Sequence, residues 1–320
     1  MKLKEFICSV IACLPVVFSI AQTSSKLILT NPLNTNRNDE LIVLSRKQLE
    51  NKLGKIPVSK YVVIKQAAVP CVVQFDDLNG DGRWDEIALL QNFKSLESKV
   101  LLLSISDNPV TVKAAVRAHA RHRRKNADDS FGSDLQTDSI PPGQPGADFN
   151  IVKLPPFLTE GPAWENDKVG FRIYFDVRNG KDIWGKTTPQ MMMDEVGVNP
   201  AINYHEQAVW GMDILKVGKS LGAGSLAMIM PVNGRDTMIR LGGNNMGKVV
   251  YKKIADGPIR AVIRLTYPEW KVDDGITPVT VTEEISIWGG QYFYQSKVTA
   301  KNAPVKANIV TGIVNLHSKE

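Results

Sequence analysis

The sequence predicts a mainly β protein of two domains, and three observations support this prediction. Short β-branched or apolar runs bounded by turn residues recur along the chain, as at 40–44 and 100–105. Residues 279–287 alternate strictly, which is typical of an antiparallel sheet with one wet face. No long amphipathic helix, heptad pattern or solenoid repeat is visible, and 45–54 is the one predicted short helix.

The N-terminus has the pattern of an export signal. Lys2 and Lys4 precede an apolar stretch from 7 to 20, and Ser19-Ile-Ala21 fits a cleavage site. We therefore expect residues 1–21 to be a signal peptide and the protein to be periplasmic or extracellular. The apolar stretch is too short to span a bilayer, so stable membrane insertion is not expected. An uncleaved anchor or a lipoprotein is the alternative.

Residues 22–112 are predicted to form an N-terminal antiparallel β-sandwich. Cys71 is the only cysteine outside the predicted signal peptide, so no intramolecular disulfide can form in the mature chain. It is flanked by Pro70 and Val72, which favours a buried strand residue over a nucleophile.

The run Asp77-Leu-Asn-Gly-Asp81-Gly-Arg-Trp-Asp85 resembles the front of a calcium loop. Oxygen ligands would come from Asp77, Asn79, Asp81 and Asp85. The closing glutamate at the twelfth position is missing, because Ala88 stands there. We expect either a structural calcium ion or a hairpin turn capped by Asp and Asn side chains, and no cofactor is required.

Residues 113–148 are predicted to be a basic strand end and a linker. Five cations and two histidines lie at 117–125, and a Pro- and Gly-rich stretch follows at 141–146. An exported protein is not expected to bind nucleic acid, so the basic tract indicates either an acidic glycan partner or a solvated strand end. A single domain over 149–320 would then complete the chain.

Two carboxylates, Glu165 and Asp167, follow Trp164 at the start of a predicted strand, on which Arg172 alternates with apolar residues. Apolar sugar faces pack on aromatic rings while charged groups meet the hydroxyls, so this stretch is a candidate glycan site. The alternative is a polar turn with a half-buried tryptophan.

The densest group of reactive side chains begins at Tyr204-His205-Glu206. A histidine is the side chain best suited to proton transfer near neutral pH, with Tyr204 as acid and Glu206 or Asp213 as orienting partner. We predict His205, Tyr204, Glu165 and Asp167 as catalytic. The predicted substrate-binding residues are Trp164, Arg172, Trp184, Lys186, Glu206, Trp210 and Lys216.

Several runs resemble domain-of-unknown-function family 4861. They include residues 164–174, 182–189 and 210–224, together with the 77–82 loop and Asp256-Gly-Pro-Ile-Arg260. The resemblance implies export by Bacteroidetes-like bacteria, a setting of uronate-degrading enzymes, and a galactose-mutarotase-like β-sandwich in the second domain. It also implies that the chain is C-terminally short.

These expectations favour an exported lyase or dehydratase that acts on uronic-acid-containing oligosaccharides. A sugar epimerase or mutarotase is the alternative within enzymes. A non-catalytic glycan-binding protein, with Trp164, Trp184 and Trp210 as stacking platforms, is the alternative from another class. Walker, dinucleotide, HExxH and CxxC motifs are absent from the sequence.

Overall fold

A computed structural model describes residues 24–315, except 111, 216, 219 and 276. The predicted signal peptide at 1–21 and Lys216 lie outside the described residues. Antiparallel strands dominate the described part, so the predicted mainly β fold is confirmed. None of the helices described there is long and apolar enough to cross a membrane.

The N-terminal part folds around its own hydrophobic core. Its elements are β1 Ser24–Thr30, β2 Arg37–Ser45, α1 Arg46–Leu53, β3 Tyr61–Gln66, β4 Val69–Pro70, β5 Gln74–Asp76, β6 Glu86–Phe93 and β7 Ser98–Ser106. They form one sheet of order β1-β7-β3-β4 and another of order β2-β6-β5. Leu49 of α1 packs with Leu101 and Leu103 of β7 in the core.

The predicted helix is present and has a capping box at its start. The Gln48 N–H donates to Ser45 Oγ at 3.3 Å, and the Ser45 N–H donates to Gln48 Oε1 at 2.8 Å. Gly54 ends the helix with a φ of 77°, which favours glycine. Local sequence therefore determines both ends of α1.

The segment 113–148, predicted to be a basic strand end and a linker, contains two strands. It contributes β8 Ala118–Arg121 and β9 Thr137–Ile140, each an edge strand of a different sheet. Ile140 is buried in the main core, although its Pro- and Gly-rich surroundings gave no sign of core-forming capacity. A four-residue strand carries too short a pattern to be distinguished from a loop.

The rest of the chain forms three antiparallel sheets. The elements are a short 3₁₀ helix Leu158–Glu160, β10 Ala163–Asn166, β11 Val169–Ile173, β12 Lys181–Lys186, β13 Gly211–Asp213, β14 Ala223–Val232, β15 Arg235–Arg240, β16 Val249–Asp256, β17 Arg260–Trp270, β18 Val279–Trp288, β19 Gln295–Lys301 and β20 Asn308–Ile313. The sheet orders are β13-β12-β11-β10-β8, β19-β18-β17-β16-β9 and β15-β14-β20.

Strand β18 has the predicted alternation. Thr280, Thr282 and Ser286 lie on the less buried face, whereas Val281 and Ile285 are buried. The main core draws side chains from all three sheets of this part of the chain. The galactose-mutarotase-like sandwich that the resemblance implies stays a prediction.

Arg260 links the N-terminal part of the chain to the sheet that contains β17. Its guanidinium lies 2.7 Å from Asp76 and 2.8 Å from Glu86, and Gln74 Oε1 accepts from the Arg260 N–H at 3.0 Å. These contacts are largely buried, so β5 and β6 are held against the start of β17.

Candidate functional site

The sheet β13-β12-β11-β10-β8 has two faces of different chemistry. One face carries apolar residues such as Trp164 and Phe171, which belong to the main core. On the other face, Arg172 lies opposite Asp182 and Trp184 lies opposite Asp213. Opposed residues of neighbouring strands share a face, so the charged groups form one surface. We call it the polar face, defined by His119, Arg121, Glu165, Arg172, Asp182, Trp184, Lys186 and Asp213.

Residues 187–210, the covering segment, close over the polar face. Met193 packs with Trp184 in a small apolar cluster, and its N–H donates to Glu165 Oε1 at 2.7 Å. The chain re-enters the sheet at Gly211, whose φ is 134°. A Cβ at this position would lie 1.8 Å from the Gly185 carbonyl oxygen, so the close approach of β13 to β12 requires glycine.

Arg172 is the centre of a buried charge network. Its guanidinium lies 2.9 Å from Glu160, 3.0 Å from Asp182 and 3.2 Å from Asp213. Glu160 also accepts from Arg178 at 2.7 Å. Burial raises the pKa of Asp182 to about 6, with Arg172 opposing the shift, and burial raises the pKa of Asp213 as well. The carboxyl pair therefore holds a proton more readily than exposed aspartates.

Tyr204 and His205 both contact this network. Arg172 donates to the Tyr204 hydroxyl at 3.4 Å, and this hydroxyl donates to Glu160 Oε2 at 3.4 Å. His205 Nδ1 lies 3.2 Å from Asp213 Oδ2. The Tyr204 ring stacks on Trp184 with a centroid distance of 5.3 Å, which fixes the orientation of the phenol.

The environment gives the two side chains different proton affinities. Burial raises the pKa of Tyr204, so the phenol keeps its proton at neutral pH. Burial, and then the positive charge of Arg172, lower the pKa of His205 below its usual 6.5. Tyr204 is thus protonated and His205 neutral at pH 7, which are the protonation states of a general acid and a general base.

A cavity of about 300 Å³ opens beside these residues. Tyr204, His205 and Glu160 line one part of it, and Phe149 and Lys153 line another. The His205 side chain is 56% exposed, so its ring reaches the solvent of the cavity while Nδ1 stays against Asp213. The cavity has the size of a small-ligand site.

The floor of the cavity has an unusual backbone. Thr159 and Glu160 are buried non-glycine residues with φ values of 48° and 65°. Arg121 holds this turn, because it donates to Leu158 O and to Thr159 Oγ1, each at 2.8 Å. Such conformations cost about 1–3 kcal/mol each and cluster at functional sites.

The chain matches one protein family, described as Domain of unknown function (DUF4861), over residues 29–320. The chain belongs to the DUF4861 family. No curated protein matches this DUF4861 member. The matched region includes the polar face, the covering segment and the cavity, so the whole candidate site lies within the family domain. The predicted family is confirmed.

The structure of this DUF4861 domain does not bring Glu165 and Asp167 together with Tyr204 and His205. Glu165 and Asp213 lie in one cross-strand row with Gly170 and Trp184 between them. Three strand spacings, about 14 Å, therefore separate their backbones. Glu165 is fully buried and paired with Lys186. Of the predicted catalytic residues, Glu165 thus lies outside the cavity that Tyr204 and His205 line.

Asp167 lies outside the cavity as well. Its Oδ2 accepts from Arg117 Nε at 2.8 Å, and its Oδ1 accepts from the Gly290 N–H at 2.6 Å. These bonds tie the turn after β10 to the turn after β18. In this arrangement the carboxylate holds two turns together.

The predicted stacking platforms are mostly inaccessible. Trp164 and Trp184 are 1% and 0% exposed, so neither presents a face on which a sugar could stack. Trp210 is half-buried and packs against Trp184 with a centroid distance of 5.6 Å. Glu206 is exposed next to His205 and accepts from Asn203 at 2.9 Å.

Residues 77–85 form a turn between β5 and β6. Asp77 accepts from the Gly80 N–H at 2.6 Å and from the Gly82 N–H at 2.7 Å, and Asp81 accepts from Arg83 N–H at 2.9 Å. Within the described residues, no group of three or more His, Cys, Asp or Glu side chains has the arrangement of a metal site. The calcium ion at Asp77, Asn79, Asp81 and Asp85 stays a prediction.

Sequence reasoning missed Glu160, Asp182, Phe149 and Lys153. Asp182 is directly opposite Arg172 in the sheet, so a correct pairing of β11 with β12 would have identified it. Glu160 reaches Arg172 only through the strained turn. That turn has no glycine before Gly161 and hence no sequence signal.

Proposed function

We propose that this protein is an exported enzyme that removes a proton from an acidic sugar and eliminates a neighbouring oxygen, as a uronate lyase or dehydratase does. The observation that carries the proposal is the contact of His205 Nδ1 with Asp213 beside Tyr204 at one cavity. The export part rests on the N-terminal sequence pattern.

Asp213 is a positioning residue for His205. A hydrogen bond at Nδ1 favours the tautomer that carries its proton there, which leaves a lone pair on Nε2. Because the pKa of His205 is lowered by burial and by Arg172, the ring is neutral at pH 7 and can act as a base. Arg172 in turn orients Asp213 and the Tyr204 hydroxyl.

The proposed step balances as a β-elimination. His205 Nε2 takes the proton on the carbon next to the carboxylate, and the electrons of that C–H bond form a carbon–carbon double bond. The bond from the adjacent carbon to its oxygen breaks, and the Tyr204 hydroxyl gives its proton to the leaving oxygen. The products are an unsaturated uronate and either a shortened sugar chain or water.

Replacement of His205 tests the proposal. The purified protein is incubated with a panel of saturated and unsaturated uronyl oligosaccharides, and the absorbance of the conjugated product and the new reducing ends are measured. We expect His205→Gln to lower kcat by about 10²–10⁴ while binding is retained. Gln207→Ala, an exposed change two residues away, is the matched control. Undiminished turnover by His205→Gln contradicts the proposal.

The same panel separates the two alternatives. An epimerase forms no conjugated product but incorporates solvent deuterium at the carbon that loses its proton. A glycan-binding protein turns over no sugar, whereas several sugars raise its melting temperature. Either result overturns the elimination step.

A further inference from the structure

Part of the wall of the cavity that Tyr204 and His205 line is a short ordered turn at 148–153. The Asp148 carbonyl accepts from the Ile151 N–H at 2.9 Å and from the Val152 N–H at 3.0 Å. Asp148 Oδ1 also accepts from the Asn150 N–H at 2.9 Å. This capped turn presents both Phe149 and Lys153 to the cavity.

Lys153 differs from the other cations near the cavity. Arg172 is paired with three carboxylates, and Arg178 is paired with Glu160 and Asp176. Lys186 is paired with Glu165. Among the described residues, no carboxylate lies within ion-pair distance of Lys153. An incoming anion therefore meets one ammonium whose charge is not already compensated by the protein.

Phe149 supplies the aromatic surface that the buried tryptophans do not. Its side chain is 54% exposed although it lines the cavity, so one ring surface is open to a ligand. Ile202, on the covering segment, is 59% exposed and lines the same cavity. Pyranose rings place their axial C–H bonds against such apolar surfaces, while their substituents meet polar groups at the ring edge.

We propose that Phe149 and Lys153 form a subsite for one acidic pyranose, with the ring on Phe149 and the carboxylate on the Lys153 ammonium. This proposal rests on the proposed function, because it takes Tyr204 and His205 in the same cavity to be the reacting groups. Lys153 would then decide between acidic and neutral sugars, whereas Phe149 would contribute to the binding of both.

Isothermal titration calorimetry of the His205→Gln variant measures binding without turnover. The probes are trisaccharides ending in galacturonate, glucuronate or iduronate, each paired with the same trisaccharide after reduction of its carboxylate to an alcohol. We expect at least one acidic probe to bind about tenfold more tightly than its neutral counterpart. Adding Lys153→Gln should remove this preference, and adding Lys153→Arg should keep it.

Two further variants make the test specific. Phe149→Ala should weaken acidic and neutral probes by the same factor, about five- to tenfold, and leave their ratio unchanged. Lys168→Gln, an exposed lysine outside the cavity, should change neither. A preference that survives Lys153→Gln, equal binding within every pair, or no binding of any acidic probe overturns the subsite.

The subsite and the reaction can fail separately. Selective binding that depends on Lys153, without turnover by the unmodified protein, supports the subsite and contradicts the elimination. Turnover that depends on His205, with a preference insensitive to Lys153, supports the elimination and contradicts the subsite.

Discussion

Replacement of Arg172 by methionine should destabilise the protein in a pH-dependent way. The change leaves Glu160, Asp182 and Asp213 buried without their shared guanidinium. Removing one partner of a buried ion pair costs about 3–5 kcal/mol, which is the loss expected at pH 7. Without Arg172 the carboxyls bind protons more strongly in the folded state, so the loss should shrink in acid.

The size of this change follows from proton linkage. Removing Arg172 takes away the charge that opposes the raised carboxyl pKa values. Lowering the pH from 7 to 5 should therefore restore more stability in the variant than in the wild type. In the wild-type protein Asp182 contributes about 1.4 kcal/mol over the same interval, because its pKa is already raised to about 6. The stability gap between the two proteins should therefore narrow by on the order of 1 kcal/mol as the pH falls, because one pKa unit corresponds to about 1.4 kcal/mol.

Urea unfolding followed by tryptophan fluorescence at pH 5 and 7 measures both quantities. Arg264→Met is the matched control, since Arg264 pairs with Glu284 at 2.8 Å and both side chains are about one-third exposed. This control should lose no more than about 1 kcal/mol, with little dependence on pH. A gap for Arg172→Met that is the same at both pH values, or below about 1 kcal/mol at pH 7, refutes the reasoning.

Three other predictions concern protons and calcium. Burial alone would lower the pKa of His119, but hydrogen bonds to Asp194 and Asp256 raise it to about 9. The stability that protonated His119 contributes is thus fully present below pH 6.5 and is lost as the pH rises to 9. Unfolding titrations should show this fall in the free energy of unfolding, and the fall should be smaller in His119→Gln. Asp213→Asn should lower kcat about 10²-fold. Steady-state pH profiles of the wild type should show kcat/KM rising with pH through an apparent pKa below 6.5, and a higher apparent pKa contradicts His205 as the base. Calcium at 100 times its Kd should add about 2.7 kcal/mol of stability in a thermal-shift assay, and Asp77→Ala should abolish the gain; a melting temperature unchanged by calcium and by chelator rules the ion out.

The sequence predicted those parts of the fold that depend on local pattern. Alternation identified β18, and Ser45 and Gly54 bounded α1, because periodicity and capping act over a few residues. Strand β8 was predicted only as a basic strand end, and β9 lay in the predicted linker, because each is four residues long and is defined by its partner strand. Pairing between distant strands cannot be read from one sequence.

Only part of the candidate site was predicted, because the site also depends on the pairing of distant strands. Tyr204, His205 and Arg172 were identified as reactive or charged residues, and the structure places them together. Glu165 was predicted as catalytic because it is a carboxylate beside Trp164, but sheet register decides which residues meet. The sequence also does not show whether a lysine or an aromatic side chain is exposed. The buried Trp164 was therefore predicted to bind sugar, and the exposed Phe149 was not.

The covering segment carries Tyr204 and His205, so its docking on the sheet completes the site. Before it docks, the ionised side chains of the polar face are hydrated, and the sheet can form with one wet side. Docking removes that water, so the positions of Tyr204 and His205 depend on the docked segment that carries them. A ligand held between the segment and the 148–153 turn favours the docked state. Ligand binding in the cavity should therefore also raise the free energy of local unfolding of the covering segment.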